Sequence, residues 1–334
     1  MKSLYKFITE GVLSDIDDTL SNGTTYVYVE SWLNEHYNIN GTYDINVLKN
    51  DCIVNVNGDV RMKIIRGGYD SLTNGMFRFG TVNGSFDANY QNLKDLKGSP
   101  RIVTGKFSIN NNNKLFTCEG GPDKVYSITL ANTCTSLEGM PQEVESFIMC
   151  TNSNLKTLKG CGKAEHYDFS ESPYLESLEG IPAGECVINL NGCKKLKNLK
   201  GLENVRPEKL MLTSCKGLKT LDGIPAKFAN NYNGNSMPIL DLKDTNLKSL
   251  KGIPSNADWS NVEVDICACD ALEDISMLPK CGKLFALYLP KLSKECYDNI
   301  NNYAAQVHVG DAFGNSFPMD KAKKSRFRGS VYFR

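Results

Sequence analysis

Two polar residues on one predicted strand are the first candidates for chemistry. His166 and Asp168 are two positions apart, so on a β-strand both side chains lie on the same face. A carboxylate that orients an imidazole prepares a general base. The repeat pattern places no column of nucleophiles beside this pair, which a catalytic site would require. The pair is therefore interpreted as part of a polar surface, and no catalytic residue is assigned.

A short acidic motif near the N-terminus indicates a different chemistry. The segment DIDDT, residues 15–19, resembles the first motif of haloacid-dehalogenase-type phosphatases, Asp-x-Asp-x-Thr. That resemblance implies that Asp15 attacks phosphorus and that Asp17 acts as the general acid. Such an enzyme needs a buried strand before the motif, but Glu10 and Gly11 interrupt that stretch. The phosphatase is kept as the alternative function, and a solvated acidic arm is preferred.

The segment 320–334 is both basic and aromatic. It carries six Lys or Arg against Asp320, and Phe327, Tyr332 and Phe333 are interleaved with them. Positive charge with aromatic stacking can bind single-stranded nucleic acid. The whole chain, however, balances 38 Lys and Arg against 38 Asp and Glu and shows no basic stripe. We therefore expect this tail to pack on the last coil or on an acidic partner, with nucleic-acid binding as the less favoured alternative.

The remaining composition excludes several classes of protein. The N-terminal segment has no small-residue cleavage site, and no stretch approaches the roughly 18 apolar residues of a membrane span. Twelve cysteines are spread over 334 residues without a CxxC pair or a Cys–His spacing. We expect reduced, packed thiols and no metal or cofactor site. The sequence predicts a cytoplasmic protein that is not secreted by a signal peptide and does not enter a membrane.

A phrase that recurs along the chain predicts the architecture. LESLEGIP (175–182), LKTLDGIP (218–225) and LKSLKGIP (247–254) are three of nine copies of a phrase whose full form is Leu-x-x-Leu-x-Gly-x-Pro, with the glycine present in eight copies and the proline in seven. Successive copies begin 19 to 29 residues apart. A short segment of alternating apolar residues precedes each copy, which is the pattern of a half-buried strand. One strand in each period predicts a solenoid of about nine to twelve short coils.

The repeat resembles the leucine-rich repeat family over roughly residues 69 to 309. The resemblance predicts a mainly β or α+β fold, a leucine-rich-repeat-like horseshoe. In that family a turn carrying Asn or Cys follows the strand, where a small polar side chain satisfies buried backbone groups of the neighbouring coil. This structural ladder is predicted to comprise Asn112, Asn152, Ser172, Cys193, Cys215 and Cys269.

Residues between the core positions of successive strands should form the concave face of the sheet. An open sheet of this kind suits a protein or peptide partner, since it offers no closed pocket for a small ligand. The predicted binding face consists of Thr129, Ile148, Asp168, Asn189, Met211, Asp241, Asp265 and Tyr288, with Ser108 and His308 at its ends.

The repeat and its flanks divide the chain into four segments. Residues 1–24 are predicted to combine a helix at 3–13, a candidate docking peptide, with the acidic arm. Residues 25–68 form an N-terminal cap, 69–310 the solenoid, and 311–334 the basic-aromatic tail. The cap is needed because the first coil would otherwise expose its apolar edge.

The cap is predicted to contain a helix and a hairpin. Residues 27–39 read as the helix, and residues 52–65 read as a hairpin. The dipeptide Asn57-Gly58 is typical of a tight hairpin turn, so the turn is placed there.

The whole arrangement is similar to uncharacterised leucine-rich-repeat-like proteins of tailed phages and prophages. SLYKFITEGVLSDIDDTL, MFRFGTVNGSF and the repeats carry this likeness. It implies a phage-encoded protein, located in the host cytoplasm or in the virion. The sequence as a whole predicts a non-enzymatic protein-binding or scaffolding solenoid. A virion component and an early phage protein that binds a host factor remain open.

Overall fold

A computed structural model describes residues 18–48, 51–229 and 237–310, and these residues form a mostly β structure. It is a parallel β-solenoid, so the predicted solenoid fold with an N-terminal helix followed by strands is confirmed. Helix α1 spans Asp18–His36, and the last coil contains helix α2 (Lys294–Asp298) and a 3₁₀ helix (Ile300–Asn302). The strands are β1 Tyr37–Leu48, β2 Asp51–Met62, β3 Arg78–Val82, β4 Phe86–Asp87, β5 Ile102–Ser108, β6 Lys124–Thr129, β7 Glu143–Met149, β8 His166–Asp168, β9 Gly184–Asn189, β10 Val205–Met211, β11 Ile239–Asp241, β12 Trp259–Asp265, β13 Cys281–Leu287 and β14 Ala304–Gly310.

The strands form one sheet whose order follows the chain. From β2 onward each strand pairs in parallel with the next, and the short β4 pairs with β2 and β5 in the same coil as β3. The strands from β2 to β14 therefore make about twelve coils. Each coil returns the chain to the same edge, so a parallel sheet grows by one strand per period.

The core consists of apolar side chains stacked from coil to coil. Strand residues in register point inward, and each is at most 6% exposed. The column runs through Phe86, Phe107, Ile128, Ile148, Tyr167, Ile188, Leu210, Leu240, Val264, Leu284 and Val307. The leucines of the repeat phrase, such as Leu175 and Leu178, add further buried columns. Burying one such side chain stabilises the fold by about 1.5–3 kcal/mol, which explains the strict apolar period.

The glycine of the repeat phrase is required by the backbone. Gly180 has φ +112°, a left-handed conformation that side chains disfavour. A Cβ there would also collide with the carbonyl oxygen of Leu158 in the preceding coil. Both effects favour glycine where one coil crosses the next.

The cap differs from the predicted one in its element boundaries. Helix α1 begins at Asp18 and ends at His36, and β1 begins at Tyr37. The predicted helix 27–39 therefore begins too late and ends too late. Strands β1 and β2 pair antiparallel along their whole length, from Tyr37 opposite Met62 to Leu48 opposite Asp51.

The predicted hairpin at 52–65 is wrong. Gly58 lies inside β2, directly opposite Gly41 of β1, so Asn57-Gly58 is not a turn. A Cβ on Gly58 would collide with the carbonyl oxygen of Asn40. The Asn-Gly dipeptide marks a close approach of two backbones, which is the other common use of glycine within a strand.

Candidate functional site

The outer face of the sheet is formed by two columns of side chains, one on each side of the stacked core residue. The column that precedes the core residue, column A, is Lys106, Ser127, Phe147, His166, Val187, Lys209, Ile239, Glu263, Lys283 and Gln306. The column that follows it, column B, is Asp87, Ser108, Thr129, Met149, Asp168, Asn189, Met211, Asp241, Asp265, Phe285 and His308.

Most of the residues predicted for the binding face lie in column B. These are Thr129, Asp168, Asn189, Met211, Asp241 and Asp265. They share one face because the strands stack in register, and all but Thr129 are partly exposed. Thr129 is only 7% exposed, so it offers a partner little surface.

Two residues predicted for this face are placed elsewhere. Ile148 is fully buried, and it stacks between Ile128 and Tyr167 in the core. Met149 takes its place in column B. Three consecutive apolar residues in β7 fit either phase of the alternation, and a slip of one residue moves a side chain to the other face.

Tyr288 is also wrong as a face residue. It follows the end of β13, in a turn with φ +59°, and Phe285 holds the corresponding place in column B. The run of alternating apolar residues continues beyond the end of this strand, so the pattern alone did not mark where the strand stops.

An apolar strip crosses the middle of the outer face. Its members lie on β7, β9, β10 and β11, with His166 and Asp168 of β8 between them, and are each half-buried: Phe147, Met149, Val187, Met211 and Ile239. From β7 to β11 there are four strand spacings, or about 19 Å. The ring of Phe147 stacks on His166 with ring centroids 5.2 Å apart. These side chains face away from the core, so core packing does not account for their apolar character.

The acids of column B end their strands. Asp168 Oδ1 accepts hydrogen bonds from Ser170 N (3.0 Å) and Ser170 Oγ (2.6 Å). Asp241 and Asp265 each accept the backbone N–H two residues further on, at 3.0 Å. This is the Asx turn, in which a side chain replaces a backbone acceptor where the strand stops. The recurrence of Asp and Asn in this column therefore has a backbone cause and needs no ligand to explain it.

Lysines neutralise the acids on the later strands. Lys243 Nζ lies 3.2 Å from Asp241 and 3.6 Å from Asp265. Burial alone would lower the pKa of Lys243, but the two carboxylates outweigh it and raise that pKa. Lys283 pairs with Glu263 at 3.3 Å and lies over the ring of Phe285. The face is therefore mixed in charge and is not an acidic patch.

The ladder residues donate hydrogen bonds to the preceding coil. Asn112 Nδ2 donates to the carbonyl oxygen of Ala88 in the preceding coil and to that of Ile109 in its own coil, both at 2.9 Å. Cys215 Sγ donates to Leu190 O at 3.1 Å. The same contact to an earlier coil is made by Ser172, Cys193 and Cys269. All five are at most 1% exposed, so each satisfies a carbonyl group that water does not reach.

Asn152 is the exception among the predicted ladder residues. It is exposed and left-handed, with φ +51°. Ser153 is the buried ladder residue, and its Oγ lies 2.8 Å from Ser172 Oγ. Two adjacent small polar residues matched the pattern, but only the one after the left-handed turn points inward.

Sequence reasoning missed a second column of turn residues. Ser177 Oγ, just before the second leucine of its phrase, accepts from Glu179 N at 3.2 Å. The same contact is made by Asp95, Thr117, Ser136, Thr157, Asn198, Thr220 and Asp274. The signal was present in the sequence, because this position is always Ser, Thr, Asn or Asp in the nine copies.

The cysteines of the described residues are free thiols. All but Cys267 are buried, and Cys267 is half-buried. Burial raises the pKa of Cys215 and of Cys186 to about 12, so both are neutral thiols near neutral pH. Within the described ranges, no group of three or more His, Cys, Asp or Glu could hold a metal ion. In the same part of the chain, no helix combines the length and the apolar character that crossing a membrane requires.

Three predicted features lie outside the described residues. They are the motif with Asp15 and Asp17, the helix at 3–13, and the tail at 320–334. The phosphatase alternative and the docking role of the N-terminal peptide stay predictions.

The fold and surface define a class of protein, a parallel β-solenoid with an open outer face. No family model, curated protein or solved structure matches the chain. Membership of the leucine-rich repeat family and the likeness to phage proteins therefore stay predictions from the repeat phrase.

Proposed function

We propose that this chain is a non-enzymatic binding or scaffolding solenoid that holds a segment of a protein partner across its outer face. The apolar strip of Phe147, Met149, Val187, Met211 and Ile239 is the observation that carries this proposal. Apolar side chains grouped on the solvent side of a sheet are typical of an interaction site.

The strip can supply both affinity and orientation. Covering one Met or Phe side chain contributes up to about 1.5–3 kcal/mol, and each 1.4 kcal/mol changes affinity about tenfold. Asp168 on β8 and Lys209 on β10 lie between members of the strip and carry opposite charges, so they can select the direction of a bound segment. On both sides of the strip the outer face continues as an open sheet, so a long partner has room to extend beyond the strip.

A display library of peptides, each about 15 residues long, tests the proposal. We expect the full chain to enrich peptides with spaced apolar residues. The double variant Met149→Lys/Met211→Lys should bind the enriched peptides at least tenfold more weakly, since two charges would replace the central apolar contacts. Binding is measured by fluorescence anisotropy with synthetic peptides.

Phe116→Lys is the matched control. Phe116 is 51% exposed and lies outside both columns, so its replacement should leave peptide binding unchanged. Equal binding by the wild type and the double variant would reject the outer face as the site. Circular dichroism of both variants checks that the solenoid is intact.

A further inference from the structure

The first strand of the sheet has one unpaired edge. β1 pairs with β2 along all twelve of its residues, and no other strand pairs with it in the part of the chain that the structure describes. His36 O, just before β1, accepts a hydrogen bond from Lys63 N. Successive residues of a strand direct their backbone groups to opposite sides. The even-numbered residues of β1 therefore bond to β2, and the odd-numbered ones direct their N–H and C=O groups to the open edge.

This edge lacks the features that usually prevent further pairing. Natural proteins protect exposed edges with prolines, lysines, bulges or very short strands. β1 contains no Pro, Lys or Arg, and its only charged residue is Asp44. Its register with β2 is continuous, so no bulge bends the strand. A regular strand of twelve residues without such protection is suited to pair with another strand.

The apolar side chains of β1 are incompletely covered. Ile39 and Tyr43 pack against the core but are only half-buried. Their partners on β2, Val60 and Val56, are at most 2% exposed. β2 has neighbouring strands on both sides, whereas β1 has one on a single side in the described part of the chain. A strand beside β1 would cover this remaining apolar surface, which favours its binding.

The sequence of β1 is complementary to itself. In an antiparallel pair of two copies centred on Thr42, odd-numbered residues face odd-numbered residues, so the free backbone groups of both edges meet. The facing residues of the two copies are Tyr37 and Val47, Ile39 and Ile45, and Gly41 and Tyr43. Each pair is apolar, and the ring of Tyr43 would cover the surface that Gly41 leaves open, as aromatic residues do beside edge glycines.

The polar face of β1 is compatible with the same register. Asp44 faces Asn40 of the other copy, so no like charges oppose each other. Thr42 meets Thr42 of the other copy, and paired threonines are favourable cross-strand neighbours. Both faces of the strand therefore support one arrangement.

We propose that two copies of this chain pair through β1, antiparallel about a two-fold axis at Thr42, and form one continuous sheet. Six facing pairs of odd-numbered residues, each exchanging two bonds, give about twelve backbone hydrogen bonds. That number is typical of a specific protein interface. The proposal concerns the edge of the cap and is independent of peptide binding at the apolar strip.

Sedimentation velocity over a concentration series tests the assembly. We expect a dimer of the full chain. Thr42→Lys should weaken dimerisation at least tenfold, because two lysines would meet at the axis. Thr42 is exposed, so this change should leave the monomer folded.

Asn57→Lys is the matched control for the sedimentation measurement. Asn57 lies opposite Thr42 on β2, is also exposed, and is one strand further from the axis. Its replacement should leave the dimer intact. A wild-type chain that stays monomeric would overturn the proposal, as would a dimer that Thr42→Lys does not weaken.

A disulfide between copies tests the register. In a Cys267→Ala background, Thr42→Cys should link two copies under mild oxidation, because residues facing each other in a non-hydrogen-bonded pair have Cα atoms about 4.5 Å apart. The control is Asn46→Cys, which is exposed on the same face of β1. In this register its two copies lie roughly 27 Å apart and should not link.

Electrophoresis without reducing agent measures the linked dimer. Equal linking of the two cysteine variants would overturn the register, since collisions of monomers would explain it. Absence of a link in Thr42→Cys would overturn it as well.

Discussion

At the scale of single residues, the polar groups of the sheet serve the backbone first. Asp168, Asp241 and Asp265 recur on the outer face because a strand that ends needs an acceptor for the next free N–H. The ladder residues solve the complementary problem, since Asn112 and Cys215 donate to carbonyl groups inside the core. A repeated polar residue in this fold is therefore weak evidence for a ligand.

Asp168 separates the backbone role from a charge role. Asp168→Asn keeps an oxygen acceptor for Ser170 N, so we expect a change in unfolding free energy of only a few tenths of a kcal/mol. Asp168→Ala removes the acceptor and should cost about 0.5–1.5 kcal/mol. Urea unfolding measures both. Equal destabilisation by Asn and Ala would show that the negative charge, and not the turn, matters at this position.

At the scale of elements, close contact between backbones determines where glycine is needed. The backbones of β1 and β2 approach each other closely at Gly41 and Gly58, and neighbouring coils do so at the glycines of the repeat phrase. A side chain at any of these points must push two strands apart. The antiparallel pair of the cap therefore depends on glycine at its centre, away from its turn.

Gly58 and Gly23 provide a matched pair of substitutions. Gly58→Ala brings a Cβ against the carbonyl oxygen of Asn40 at φ +144°, so we expect a loss on the order of 1–3 kcal/mol or more. Gly23→Ala meets no atom within 4 Å in helix α1, so it should stabilise by up to about 1 kcal/mol. The melting temperatures of the two variants should shift in opposite directions from that of the wild type. Melting temperatures that shift in the same direction would refute the requirement for glycine at the close approach of β1 and β2.

At the scale of the whole molecule, buried thiols make stability depend on alkaline pH. Burial raises the pKa of Cys215 from an ordinary value near 9 to about 12. Below pH 9 the thiol is protonated in both the folded and the unfolded chain. Above pH 9 the unfolded chain loses the proton while the folded chain keeps it, so the free energy of unfolding falls as the pH rises toward 12.

The size of this effect can be measured on one thiol. Between pH 9 and 12, each such thiol should lower the free energy of unfolding by about 1.4 kcal/mol per pH unit. Cys215→Ala should therefore make the alkaline loss of stability shallower by about that amount, although the variant is less stable at neutral pH. Urea unfolding at intervals from pH 8 to 11 gives the slope. An unchanged slope would mean that Cys215 ionises equally in both states.

Periodic burial is what the sequence by itself determined. Leucines at a repeated spacing, with one alternating segment in each period, can be buried together only if successive periods stack, so the solenoid follows from the pattern. Most members of column B and five ladder residues follow as well, because their positions are counted from the same core residues. Those assignments depend on local spacing, which the chain carries along its whole length.

Register and glycine use were decided by the tertiary structure. In β7 three consecutive apolar residues fit both phases, and the contact of Ile148 with Ile128 and Tyr167 selects one of them. Asn57-Gly58 is compatible with a turn or with a close approach of two strands, and the pairing of β2 with β1 selects the close approach. In each case the local pattern was compatible with two arrangements. Packing against a neighbour distant in sequence selected one of the two arrangements. The other would leave the core unfilled in β7, or force two backbones to overlap at Gly58.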